Sequence, residues 1–133
     1  MVISRRKIRE LIFKMIFRVD FYAEEEWTGQ LALFLDALEE AGEKDRAYIE
    51  QKVTDIFAHL KEIDGMIDGS AHNWKTSRMA KVELSLLRLA VYEIRFEEGI
   101  PTGVAINEAV ELAKIYGEEN SASFVNGVLA RMV

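Results

Sequence analysis

The chain has 133 residues, one domain's worth, half of them hydrophobic and 30% charged, which is enough apolar material for a core and argues against disorder. It has no cysteine, which excludes disulfides, thiolate zinc sites, iron–sulfur clusters and a cysteine nucleophile together and suits a reducing cytoplasm. The net charge of −6 hides a split: residues 1–18 carry six basic side chains against Glu10 alone, whereas residues 19–133 carry 11 basic and 22 acidic ones.

Ser4 is placed to N-cap a first helix. Ile8, Leu11, Ile12, Met15, Ile16 and Val19 recur behind it at three- and four-residue spacing as one apolar stripe. Arg5, Arg6, Arg9 and Lys14 are expected to fall largely off that stripe. The cations would then ride on a helix fixed to the core, and a preorganised basic face loses less entropy on binding than a floppy tail. Glu24–Glu26 end the segment. A second helix is predicted from Trp27 to Ala41, with Leu31, Phe34, Leu35 and Leu38 facing in and Gly42 as its C-cap. A third runs from Asp45 to about Ile67, punctuated by Gly69 and Ser70. Trp74 follows in a short connector, Ala71 to Met79.

Val82 to Phe96 is the most apolar stretch. A helix apolar nearly all round belongs at the centre of a bundle. Pro101 sets up the next helix, Val104 to Tyr116, with Ile106, Ala109, Val110 and Ala113 inward and Gly117 as C-cap. Asn120 or Ser121 caps a last helix carrying Phe124, Val125, Val128, Leu129 and Met132. No stretch alternates with period two, eight glycines and one proline are too few for a sandwich, and no apolar run is long enough to span a membrane. The fold class is therefore all-α, with six to seven helices and short loops.

Catalytic chemistry finds little support. The two histidines, His59 and His72, lie one in each half without an activated-serine motif, and neither follows a glutamate at the three-residue spacing of carboxylate-bridged metal pairs. His59 reads as a partly buried helical histidine and His72 as an exposed connector residue. No phosphate-cradling glycine loop is present. The expectation is a non-enzyme with no cofactor and no metal. A cationic groove with stacking aromatics is instead what single-stranded RNA requires. The first helix supplies cations, and Phe124 is either a stacking surface or a core residue. Asn126-Gly127 is odd inside a helix and fits a close helix crossing or a ligand-facing surface.

Three stretches carry a resemblance: SRRKIRELIFKMIF, MAKVELSLLRLAVYEIRFEEGIP and VAINEAVELAKIYGEENSASFVNGVL. Together they resemble the NusB family of transcription antitermination factors. The resemblance implies a single domain over 1–133 built of two small helical bundles packed on each other, approximately 1–70 and 71–133. It implies a cytoplasmic antitermination factor that binds the boxA element of ribosomal-RNA leader transcripts together with the ribosomal protein NusE. Other Nus factors and RNA polymerase would join indirectly, no membrane would be involved, and a homodimer is possible. Arg5, Arg6, Lys7, Arg9, Lys14 and Phe124 are the RNA-binding candidates, and Glu83 and Asn120 match positions near which the family docks NusE. For Asn120 a plain N-cap is the competing reading. The alternative function is a protein-only adaptor, or a dimer, without direct RNA contact.

The chain departs from the family pattern at several points. Lys7 stands in the usual arginine run, keeping the charge while losing a bidentate phosphate contact. Lys14 and Phe17 occupy positions where Gln and Tyr are common, and Ala130 stands where Asp often follows the NGVL element. The sequence ends at Val133 without the charged tail of many members and leaves no room for the methyltransferase domain that follows this fold elsewhere, so a free-standing factor is expected.

Overall fold

A computed structural model describes residues 3–71 and 74–133, and the described residues contain six α-helices and no strand. The all-α expectation therefore holds. The helices are α1 (Arg5–Ile16), α2 (Trp27–Asp36), α3 (Glu43–Ser70), α4 (Lys81–Phe96), α5 (Thr102–Tyr116) and α6 (Ser121–Ala130), with short 3-10 turns at Phe17–Phe21, Glu24–Glu26 and Thr76–Arg78. None of the described helices is long and apolar enough to cross a membrane. The chain divides into two compact units, one up to Ala58 and one from His59 onward, and the division falls inside α3, ahead of the Gly69-Ser70 punctuation.

In the first unit, Ser4 caps α1 as the sequence suggests: its hydroxyl accepts from the Lys7 backbone N–H at 3.0 Å. Leu11, Ile12, Phe13, Met15, Ile16 and Val19 are all buried, while Ile8, near the helix start, is only half-buried. The Ile3 backbone N–H donates to Asp45 Oδ2 at 3.3 Å, tying the segment before α1 to the first turn of α3. The Trp27 indole N–H is shared between the carbonyls of Val19 (3.0 Å) and Tyr22 (3.2 Å), which anchors the start of α2 to the turn that leaves α1. Its ring packs 5.2 Å from that of Phe57.

The second helix is shorter than its pattern. α2 ends at Asp36 and is followed by Ala37, so Gly42 does not cap it. Leu38 and Ala41 remain buried although the backbone has left the helix, which is why the apolar pattern runs on. The Arg46 guanidinium donates to the Leu38 carbonyl at 2.7 Å, and the Arg46 backbone N–H to the Gly42 carbonyl at 3.0 Å. An arginine from the following helix thus satisfies a carbonyl that a longer helix would have paired internally.

The second unit is built on α4, which buries ten consecutive residues, Leu84 to Glu93, and packs with α5 and α6. Every face of α4 is therefore covered, including its polar members. Arg88, 4% exposed, makes a bidentate pair with Asp64 of α3, Nε to Oδ1 and Nη2 to Oδ2 at 2.8 Å each. The Ser85 hydroxyl donates back to the Lys81 carbonyl at 2.6 Å. Gly117 does end α5, but for a reason other than a left-handed backbone. Its φ is −95°, and a Cβ there would lie 2.5 Å from Ser121 Cβ and 2.8 Å from the Ala113 carbonyl. The glycine lets α5 and the start of α6 come together, and Ser121 Oγ accepts from the Glu118 backbone N–H at 2.8 Å to close the turn.

Candidate nucleic-acid interface

The five basic candidates stand on α1 in the first unit. Arg5 and Arg6 are exposed, and Lys7, Arg9 and Lys14 half-buried. They do not form a single polar stripe. Helical spacing puts Arg5 and Arg9 in one row with the buried Phe13, whereas Lys7 and Lys14 share another row seven residues apart. None of the five is among the buried residues of α1: they form a collar around the first two turns, with Lys14 a further turn along. The collar occupies the positive end of the helix dipole, and the first turn holds no acidic residue. Cations at that end repel the partial charge of the free backbone N–H groups, while an anion there is attracted by both.

Not every cation near α1 is equally placed to meet a ligand. Lys7 Nζ donates to Glu10 Oε1 at 2.9 Å, and that hydrogen bond raises the Lys7 pKa above its ordinary value, keeping the charge but engaging it within the helix. The Arg18 guanidinium lies 4.9 Å over the Phe34 ring and is a packing group.

The remaining candidates belong to the second unit. Phe124 in α6 is half-buried, and its ring meets that of Trp74 edge-on, centroids 6.4 Å apart at 83°. It is neither a closed core residue nor a bare surface ring. Asn120 takes the N-cap position of α6, yet its side chain makes no capping hydrogen bond and is exposed. The plain N-cap reading is corrected: the Ser121 hydroxyl does the local bonding, and the Asn120 amide points to no cap partner. Glu83 is half-buried in the first turn of α4, where a carboxylate suits the helix dipole. Asn126 is exposed and Gly127 half-buried on α6, and a Cβ at Gly127 would meet nothing within 4 Å, so no tight helix crossing explains that glycine.

His59 is half-buried with its ring 4.3 Å from Phe96, as a packed helical histidine. His72 lies outside the described residues. Among the described residues no group of three or more His, Asp or Glu side chains is placed to hold a metal ion.

The NusB family model matches residues 6–133, from Arg6 to the last residue of the chain. The chain belongs to the NusB family. It is 53% identical over 128 residues to the transcription antitermination protein NusB of Agathobacter rectalis, covering 96% of this chain and 98% of that protein. It is 43% identical over 126 residues to that of Geobacter sulfurreducens, covering 95% and 91%. Among solved structures it resembles NusB of T. maritima, with a TM-score of 0.90 at 38% identity over 99% of this chain and 92% of that one. It also resembles a chain in a structure of the antitermination factors NusB and NusE in complex with dsRNA, with a TM-score of 0.79 at 28% identity over 96% and 94%.

Within this NusB-family chain, sequence reasoning missed Trp74. It was legible only as a connector residue, although a signal was present: a large aromatic in the segment 74–81, which holds three basic residues and no acidic one. It also missed the Arg88–Asp64 pair, because an arginine inside an apolar run gives no hint of its partner's position.

Proposed function

We propose that this protein is a cytoplasmic transcription antitermination factor that binds boxA-type RNA of ribosomal-RNA leader transcripts together with the ribosomal protein NusE, and that it is not an enzyme. The observation that carries the reading is the cationic collar at the N-terminus of α1, held in place by six buried apolar residues on the same segment. Arg5, Arg6, Arg9 and Lys14, with Lys7 supporting, contact RNA phosphates. Phe124 belongs to the RNA-facing surface of the second unit. Glu83 and Asn120 contact NusE, and the exposed, uncapping amide of Asn120 supports that assignment. The near-full-length relatives named as antitermination proteins, and the solved relative with NusE and RNA, support the same role. Other Nus factors and RNA polymerase are engaged indirectly through the complex.

The test is a titration of boxA-type RNA onto this protein, onto NusE and onto the pair, with a duplex RNA of equal length as competitor. The pair should bind more tightly than either protein alone, and Arg5→Glu/Arg6→Glu/Arg9→Glu should abolish the gain. Unaltered RNA affinity in that variant, with NusE binding intact, makes the chain a protein-only adaptor.

A further inference from the structure

After residue 18 the chain is strongly acidic, yet residues 74–81 carry Lys75, Arg78 and Lys81 without a single Asp or Glu. All three basic residues are exposed. Trp74 opens this segment and is itself 54% exposed. About half of the indole is thus open to solvent, in a segment whose own charged side chains are all basic. Its surroundings fix it without covering it. The Trp74 backbone N–H donates to the Ala71 carbonyl at 3.1 Å, and the Thr76 backbone N–H donates to Asp68 Oδ1 at 2.7 Å, so both sides of the tryptophan are tied to the end of α3. The Phe124 ring meets the indole at 83°, centroids 6.4 Å apart, which fixes the geometry of the pair while about half of the tryptophan stays open to solvent.

A held, half-exposed aromatic ring in a basic segment is the arrangement with which proteins take single-stranded nucleic acid: the ring stacks a base and the cations meet the adjoining phosphates. We propose that Trp74 stacks one base of the bound single-stranded RNA, with Phe124 positioning the indole and Lys75 and Arg78 contacting adjoining phosphates. This rests on the RNA-binding reading above and adds to it a second contact surface, carried by the unit that does not contain α1. Flat stacking on indole tolerates any base, so this contact adds affinity rather than sequence choice.

The experiment follows tryptophan emission while boxA-type RNA is titrated onto the full chain with NusE present. The RNA should quench the wild-type emission. Trp74→Phe, which keeps only Trp27 as an emitter, should bind RNA within a few fold and show no quenching. Trp74→Ala should weaken RNA binding by about tenfold, within the range of one lost base–aromatic stack. Lys75→Ala/Arg78→Ala should flatten the log–log salt dependence by roughly 1.4, two contacts at about 0.7 each. If wild-type RNA affinity is strong and Trp74→Ala matches it, the stacking role is overturned while RNA binding stands. Loss of NusE affinity at unchanged RNA affinity overturns it in favour of a protein-docking surface. Absence of RNA binding by the wild-type pair overturns both readings. Should Trp74→Ala fold poorly by far-UV helicity, the quenching comparison with Trp74→Phe decides alone.

Discussion

Arg5, Arg6 and Arg9 are close in sequence yet differ in surroundings: the first two are exposed, while Arg9 lies in the row that ends on buried Phe13. Replacing all three with Glu should abolish RNA binding and leave far-UV helicity intact, because none belongs to the buried set of α1. A collapse of helicity would instead give Arg9 a packing role. Arg88 is the opposite case, an ion pair inside the second unit. Its Nε and Nη2 both donate to Asp64, whose side chain is 25% exposed, so water already solvates part of the carboxylate. Arg88→Ala should cost about 3 kcal/mol in urea denaturation, the lower end for breaking a buried pair. Such residues explain where the sequence stops being informative. A cap such as Ser4 is legible because its partner is three positions away. The partner of Arg88 is 24 positions away, and nothing local announces it.

Elements were legible in proportion to how strongly burial and backbone agree. The sequence places α4 within a residue of its start, because its apolar run leaves one interpretation and the structure buries ten successive side chains there. Leu87 is fully buried there, and Leu87→Ala should cost about 2–5 kcal/mol, measured as a shift of the urea midpoint at constant m. A loss under about 1 kcal/mol would mean that α4 is not central. α2 went the other way. Leu38 and Ala41 are buried on a non-helical backbone, so periodicity overran the true end at Asp36, and the Arg46-to-Leu38 bond that stabilises the exit has no sequence signature. The junction of α5 and α6 sits between these cases. Gly117 was legible as a stop signal, but its purpose, close approach to Ser121, was not. Gly117→Ala should therefore destabilise by about 1–3 kcal/mol through overpacking, although its φ is one that alanine adopts freely. A neutral result by thermal melting would show that Ser121 shifts at no cost.

For the molecule as a whole, the charge split governs how RNA is met. With −11 on residues 19–133, phosphates are repelled except beside local basic stretches, so the chain alone should bind RNA weakly. Three to five engaged cations predict a log–log salt slope of roughly −2 to −3.5 on single-stranded RNA. A slope near zero, measured between low and physiological salt, would remove the phosphate contacts from the proposal. The 28-residue α3, about 42 Å of continuous helix, contributes to both compact units. The helix is continuous through the division between Ala58 and His59. Calorimetry should therefore give one transition with equal van't Hoff and calorimetric enthalpies, and two resolved peaks would show independent units.

The collar on α1 also has a consequence for mutational tolerance. Its arginines occupy the helix end where acidic residues are favoured, so the unliganded protein is held below the melting temperature that its own fold permits. Arg5→Glu should raise the melting point by roughly 2–4 °C, the scale expected when a first-turn charge is reversed in a chain of this size. A screen for heat resistance would thus select against these arginines, while a screen for RNA-dependent growth would retain them. The two selections would enrich opposite charges at the same positions, and the positions where they disagree would outline the RNA contact surface of α1 without any RNA in the assay tube.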